Sequence, residues 1–157
     1  MHNRLAVALL AVALLAVALA APGAIAHEGT QHDACAAGNS VAAGELTLSA
    51  AFTRAMLPQA RAAGGYLSIT NGGAVADRLI GGRTAVAQKL ELHEMTMQGD
   101  MMKMAEVEGG IEISAGETVA LEPGGLHLML MGVAEPFQEG DCVTVTLIFE
   151  EAGEVEL

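Results

Sequence analysis

The chain has 157 residues, 52% of them hydrophobic, and carries 19 acidic against 7 basic side chains for a formal net charge of −12. So acidic a chain, with only 3% aromatic residues, is unsuited to a nucleic-acid backbone, to stacked bases or to an anionic membrane surface. The length suits one globular domain, although an N-terminal segment inflates the hydrophobic fraction.

Leu5 to Ala21 form an unbroken apolar run. It follows the basic start Met1-His2-Asn3-Arg4 and precedes Pro22-Gly23-Ala24-Ile25-Ala26. That layout predicts a secretory signal peptide over residues 1–26, with cleavage after Ala26. A cut after Ala20 is the alternative, and a retained membrane anchor is the competing reading. Cleavage removes Arg4 and no acid, so the mature formal charge is −13. The mature protein is expected in the periplasm, off the membrane.

Residues 27–44 are poor in large apolar side chains and read as a flexible N-terminal tail, leaving 45–157 as the folded domain. Cleavage after Ala26 would make His27 the N-terminus. Its amine and imidazole could then chelate Cu(II), with His32 adding a nitrogen; a merely soluble tail is the plainer reading. Cys35 and Cys142 are the two cysteines, and in an exported chain they predict one disulfide rather than two free thiols. The closed loop of 108 residues would contribute about 4–5 kcal/mol in the loop-entropy account. The residues before Cys35, His32-Asp33-Ala34, make a poor lipidation signal.

From Glu45 the pattern alternates polar and apolar. Glu45–Ser49, Tyr66–Thr70, Lys89–His93 and Val143–Leu147 each have the period of two that marks a half-buried strand. Turn signals separate them at Asn71-Gly72-Gly73, Gly81-Gly82, Gln98-Gly99-Asp100, Gly109-Gly110, Pro123-Gly124-Gly125 and Glu139-Gly140-Asp141. Ala55–Ala63 has room for at most a turn of helix, limited by Pro58. Short strands at regular spacing predict an all-β fold, a single antiparallel sandwich or barrel.

The chemistry concentrates in two segments. Met95, Met97, Met101, Met102 and Met104 cluster after His93, and Met129 and Met131 follow His127. In a strand, residues two apart share a face. His127, Met129 and Met131 therefore lie opposite Leu126, Leu128 and Leu130. Glu91, His93, Met95 and Met97 likewise lie opposite Leu90 and Leu92. The leucines suit the core, which turns the His/Met rows outward or toward a second layer. A lone methionine usually fills a core gap. A set alternating beside both histidines of the domain points instead to a soft metal. Neutral thioether and imidazole select Cu(I), whereas zinc prefers thiolate, imidazole and carboxylate. Methionine also cannot be lost to disulfides in an oxidising compartment.

The spacing then resembles the PCu(A)C family of periplasmic copper chaperones. His93 is followed by ten residues and Met104; twenty-two residues later comes His127-Leu128-Met129. The second interval is one residue longer than the usual form. The stretches "ELHEMTM" and "PGGLHLMLMG" also resemble the family, and the likeness extends over about 45–157. It implies a cupredoxin-like β-sandwich whose His93, Met104, His127 and Met129 bind one Cu(I) near the surface. Met95, Met97, Met101, Met102 and Met131 are then secondary, read as an adaptable docking rim or shuttle surface, with Met95 and Met131 as secondary metal candidates. The resemblance also implies a carrier rather than an enzyme. Its partner would be a copper-accepting exported protein, such as the binuclear copper subunit of cytochrome c oxidase or another copper carrier. Phe52 stands where the family usually has Trp, and is expected as a core anchor; Met56 is expected to pack. The rival functions are a blue-copper electron carrier, an exported copper or iron enzyme, and a metal-free β-sandwich interaction module.

Overall fold

The computed structural model describes residues 40–157. The signal peptide, His27, His32 and Cys35 lie outside the described residues. Among the described residues there are eleven strands and no helix, so none is long and apolar enough to cross a membrane. The strands are β1 Ser40–Ala43, β2 Leu46–Thr53, β3 Ala62–Asn71, β4 Asp77–Arg83, β5 Lys89–Gln98 and β6 Met101–Glu106. They continue with β7 Ile111–Ile113, β8 Thr118–Leu121, β9 Leu126–Met131, β10 Thr146–Phe149 and β11 Gly153–Glu156.

All pairings are antiparallel, and the spatial order is β1-β2-β3-β9-β5-β4-β10-β11. Strand β6 pairs with β5, β7 with β4 and β8 with β3. This nearly closed sheet wraps a core that includes Leu48, Ile69, Leu79, Leu130, Leu147 and Phe149. The alternation of β5 and β9 works as expected on that side: Leu90, Leu92, Leu128 and Leu130 are buried. Burial of each such side chain contributes about 1.5–3 kcal/mol.

Four local expectations need correction. Ser40–Ala43, assigned to the tail, pair with Leu46–Ser49 as strand β1, because Gly44-Glu45 reverses the chain. Gly81-Gly82 is not a turn but lies inside β4, opposite Ile148 and Leu147. A Cβ on Gly82 would stand 2.8 Å from the Thr146 carbonyl oxygen and 3.1 Å from a Leu90 methyl, so glycine serves close packing there. Ala55–Ala63 makes no helical turn; the Ala60 amide closes a tight turn on the Leu57 carbonyl around Pro58-Gln59, and β3 starts at Ala62. The last predicted strand starts later, at Thr146, although Val145 and Leu157 exchange both backbone hydrogen bonds.

The fourth strand is tied to the last hairpin by one carboxylate. Asp77 is buried and its Oδ1 accepts from the Arg78 and Glu151 amides, while Oδ2 accepts from the Ala152 amide. Asp77→Ala strands two amides of the β10–β11 turn. It is expected to lower unfolding free energy by roughly 2–3 kcal/mol, read as a lower urea midpoint at unchanged slope. An unchanged midpoint would contradict this role.

Candidate metal centre

The register brings the two histidine segments together. Strands β5 and β9 pair so that His93 faces His127, Glu91 faces Met129 and Lys89 faces Met131. The β5–β6 hairpin then sets Met95 opposite Met104, Met97 opposite Met102 and His93 opposite Glu106. Its two-residue turn places the positive φ on Gly99 alone, as a type II′ turn requires. Directly opposed residues in such ladders have Cβ atoms about 4.5–5.5 Å apart, and diagonal neighbours are within reach of long side chains. Met104 on β6 and Met129 on β9 are both diagonal neighbours of His93. The four candidate ligands thus occupy one face of three adjacent strands.

That face is not uniformly open, as a simple outward row would be. His93 and His127 are buried, at 9% and 4% exposure, with ring centroids 5.8 Å apart. Met129 is half-buried, while Met104 and Met131 are exposed. The imidazoles form a floor and the thioethers a rim. Met95 is half-buried beside Met104.

Each ring has one nitrogen committed to an oxygen. His127 Nδ1 lies 3.0 Å from the Gly125 carbonyl, which can only accept, so Nδ1 carries the hydrogen and Nε2 keeps its lone pair. The same carbonyl accepts from the Met95 amide and so joins β5 to the turn before β9. His93 Nε2 lies 2.8 Å from Glu91 Oε2; an ionised carboxylate only accepts, so Nε2 donates. His93 Nδ1 is then a buried acceptor with no hydrogen-bond partner. Lys89 also donates to Glu91. That bond first, and the one from His93 second, hold the Glu91 carboxyl below the usual carboxylate range, which keeps it an acceptor. Orientation of a ligand imidazole by a carboxylate or carbonyl is the usual outer support of metal sites.

The reading of the sequence did not assign Glu91 or Gly125, the two partners that orient the rings. The signal for Glu91 was present, since it shares its face with His93. Phe52 departs from expectation. It is half exposed rather than a core anchor, and stacks on Tyr66 at 4.9 Å between centroids. Tyr66 in turn lies 6.5 Å from the His127 ring. The cause is a bulge in β2: pairing shifts by one residue between Ser49 and Phe52, with Ala50 at φ +51°. The shift moves Phe52 from the core face to the face of the histidines. Met56 packs as expected, its sulfur accepting from the Phe137 amide.

Among the described residues no three His, Cys, Asp or Glu side chains are placed to hold a metal. The donors that stand beside the two imidazoles on this face are thioethers, a set that suits a soft ion better than a hard cation or zinc. Cys142 is disulfide-bonded, so it offers no thiolate for a blue-copper centre.

Known proteins share the sequence and fold of this domain. The chain is 36% identical over 83 residues to the Putative lipoprotein Lxx21020 of Leifsonia xyli subsp. xyli, an overlap of 53% of this chain; it spans about half the length of that relative (50%). Among solved structures, the copper-bound PCuAC domain from PmoF2 is similar with a TM-score of 0.65 and 28% identity, covering 75% of this chain and 92% of that one. CuI-DR1885 from Deinococcus radiodurans gives 0.57 and 27%, covering 78% and 79%. The family described as "Putative lipoprotein LpqE-like" matches residues 46–157. On that match the chain belongs to the LpqE-like family, and its all-β domain is of the PCuAC, cupredoxin-like type.

Proposed function

We propose that this protein is an exported copper chaperone, a carrier and not an enzyme, that binds one Cu(I) through His93, Met104, His127 and Met129. The observation that carries the reading is the pair of opposed, buried imidazoles, each held by one oxygen acceptor and each with one lone pair left over. A buried acceptor without a partner is costly, and a metal ion relieves that cost. The neutral sulfurs of Met104 and Met129 complete a soft, uncharged ligand set suited to Cu(I). Copper in the PmoF2 and DR1885 structures supports the choice of metal.

The rim explains delivery. Met104 is nearly half exposed, on a strand whose six residues are all exposed. A thiol or imidazole of the recipient can enter as Met104 leaves, so copper passes between ligand shells without release to water. The recipient is a copper-accepting exported protein, for example the copper subunit of cytochrome c oxidase or another carrier. The periplasm is the compartment proposed, from the signal-like start of the chain. His27 and His32 remain a proposed Cu(II) station in the tail, and Cys35 the proposed partner of Cys142.

Competition for Cu(I) with a colorimetric chelator under reducing conditions tests the site. His127→Ala is expected to weaken binding on the order of 100-fold or more, because outer-shell partners alone are worth 10–100-fold. Met104→Leu and Met129→Leu keep volume and should cost less than about 1.5 kcal/mol of stability while weakening Cu(I) binding. Wild-type affinity in all three variants would overturn the assignment. Glu91→Gln keeps the shape but removes the charge that orients His93; a drop of roughly 10-fold or more is expected. No change would mean that Glu91 does not set the ring.

A further inference from the structure

The methionines of the β5–β6 hairpin exceed what one site uses. We propose that Met95, Met97 and Met102 form a second, all-thioether Cu(I) site at the turn end of the hairpin, beside the His/Met site and weaker than it. Met97 and Met102 are directly opposed, and Met95 shares their face one step along the ladder. Sulfurs on opposed and diagonal positions of one hairpin face can converge on a single ion.

Packing does not account for these side chains. The eight methionines from Met56 onward are all described, and not one is among the buried core residues, which are mainly Leu, Ile, Val and Phe. Met97 and Met102 are 62% and 59% exposed, and β6 pairs with no strand but β5. Leucine would fill such a surface no worse, and a polar residue better. What methionine adds is a neutral, soft donor that needs no deprotonation. Without an imidazole the site binds less tightly than one with two. Met104 stands opposite Met95 and so lies between the two sets, giving copper a short path along the rim. The proposal stands apart from the His/Met assignment, because no histidine takes part.

The test is the Cu(I) stoichiometry of the full chain, titrated under reducing conditions against chelators of two strengths. The variants are Met97→Leu/Met102→Leu and, separately, His127→Ala. Wild type should take up two equivalents. The double variant should keep the tight one and lose the weak one, and His127→Ala should lose the tight one and keep the weak. A one-dimensional carbon-edited spectrum of the methionine methyls should show Met97 and Met102 shifting only at the second equivalent. A single equivalent in wild type would overturn the second site. So would two equivalents retained by the double variant, which would place the extra copper elsewhere. Both results leave the His/Met site standing. Loss of the tight equivalent only in His127→Ala supports that site by itself.

Discussion

The site depends on one register. Strands β5 and β9 are central in the sheet, and their pairing sets His93 directly against His127. A slip of one residue in either strand would send that strand's imidazole to the leucine core and bring its leucines outward. The core therefore enforces the site: the burial of Leu90, Leu92, Leu128 and Leu130 fixes where the histidines stand. The Gly125 carbonyl adds a second lock, accepting from both the Met95 amide and the His127 ring.

From that register follows a division of labour. The imidazoles sit low, desolvated and oriented, while the sulfurs of β6 stand in solvent. Buried, fixed nitrogens favour holding an ion, and mobile exposed thioethers favour letting it go. Burial of a half-satisfied polar group is normally a defect. In the proposed carrier it is a standing preference for the cargo, and the Lys89–Glu91–His93 chain keeps the vacant lone pair on Nδ1.

Much of this was legible in the sequence. Period two in Lys89–His93 and in Leu126–Met131 set the candidate ligands of each segment on the face its leucines leave free, and the His-x-Met spacing pointed to the PCuAC type; that the two rows share one face is a matter of strand pairing. The depth of the histidines was not legible, because alternation assigns a side of the sheet and not what covers it. Phe52 was misplaced because a single-residue bulge at Ala50 inverts the alternation of β2, and nothing in the composition of Ser49-Ala50-Ala51 marks it. Gly81-Gly82 read as a turn because glycine pairs usually are. Here the demand falls on Gly82 and comes from Thr146, far away in sequence, and from Leu90 on the next strand.

In the proposed site His93 offers Nδ1 and His127 offers Nε2. Long-range ¹⁵N–¹H correlation of the histidine rings, recorded before and after one equivalent of Cu(I), tests it directly. Opposite tautomers are expected in the copper-free protein, with the hydrogen on Nε2 of His93 and on Nδ1 of His127. Copper should then shift the other nitrogen of each ring. The same tautomer in both rings, or a Cu(I) shift confined to nitrogens that already carry hydrogen, would contradict this assignment.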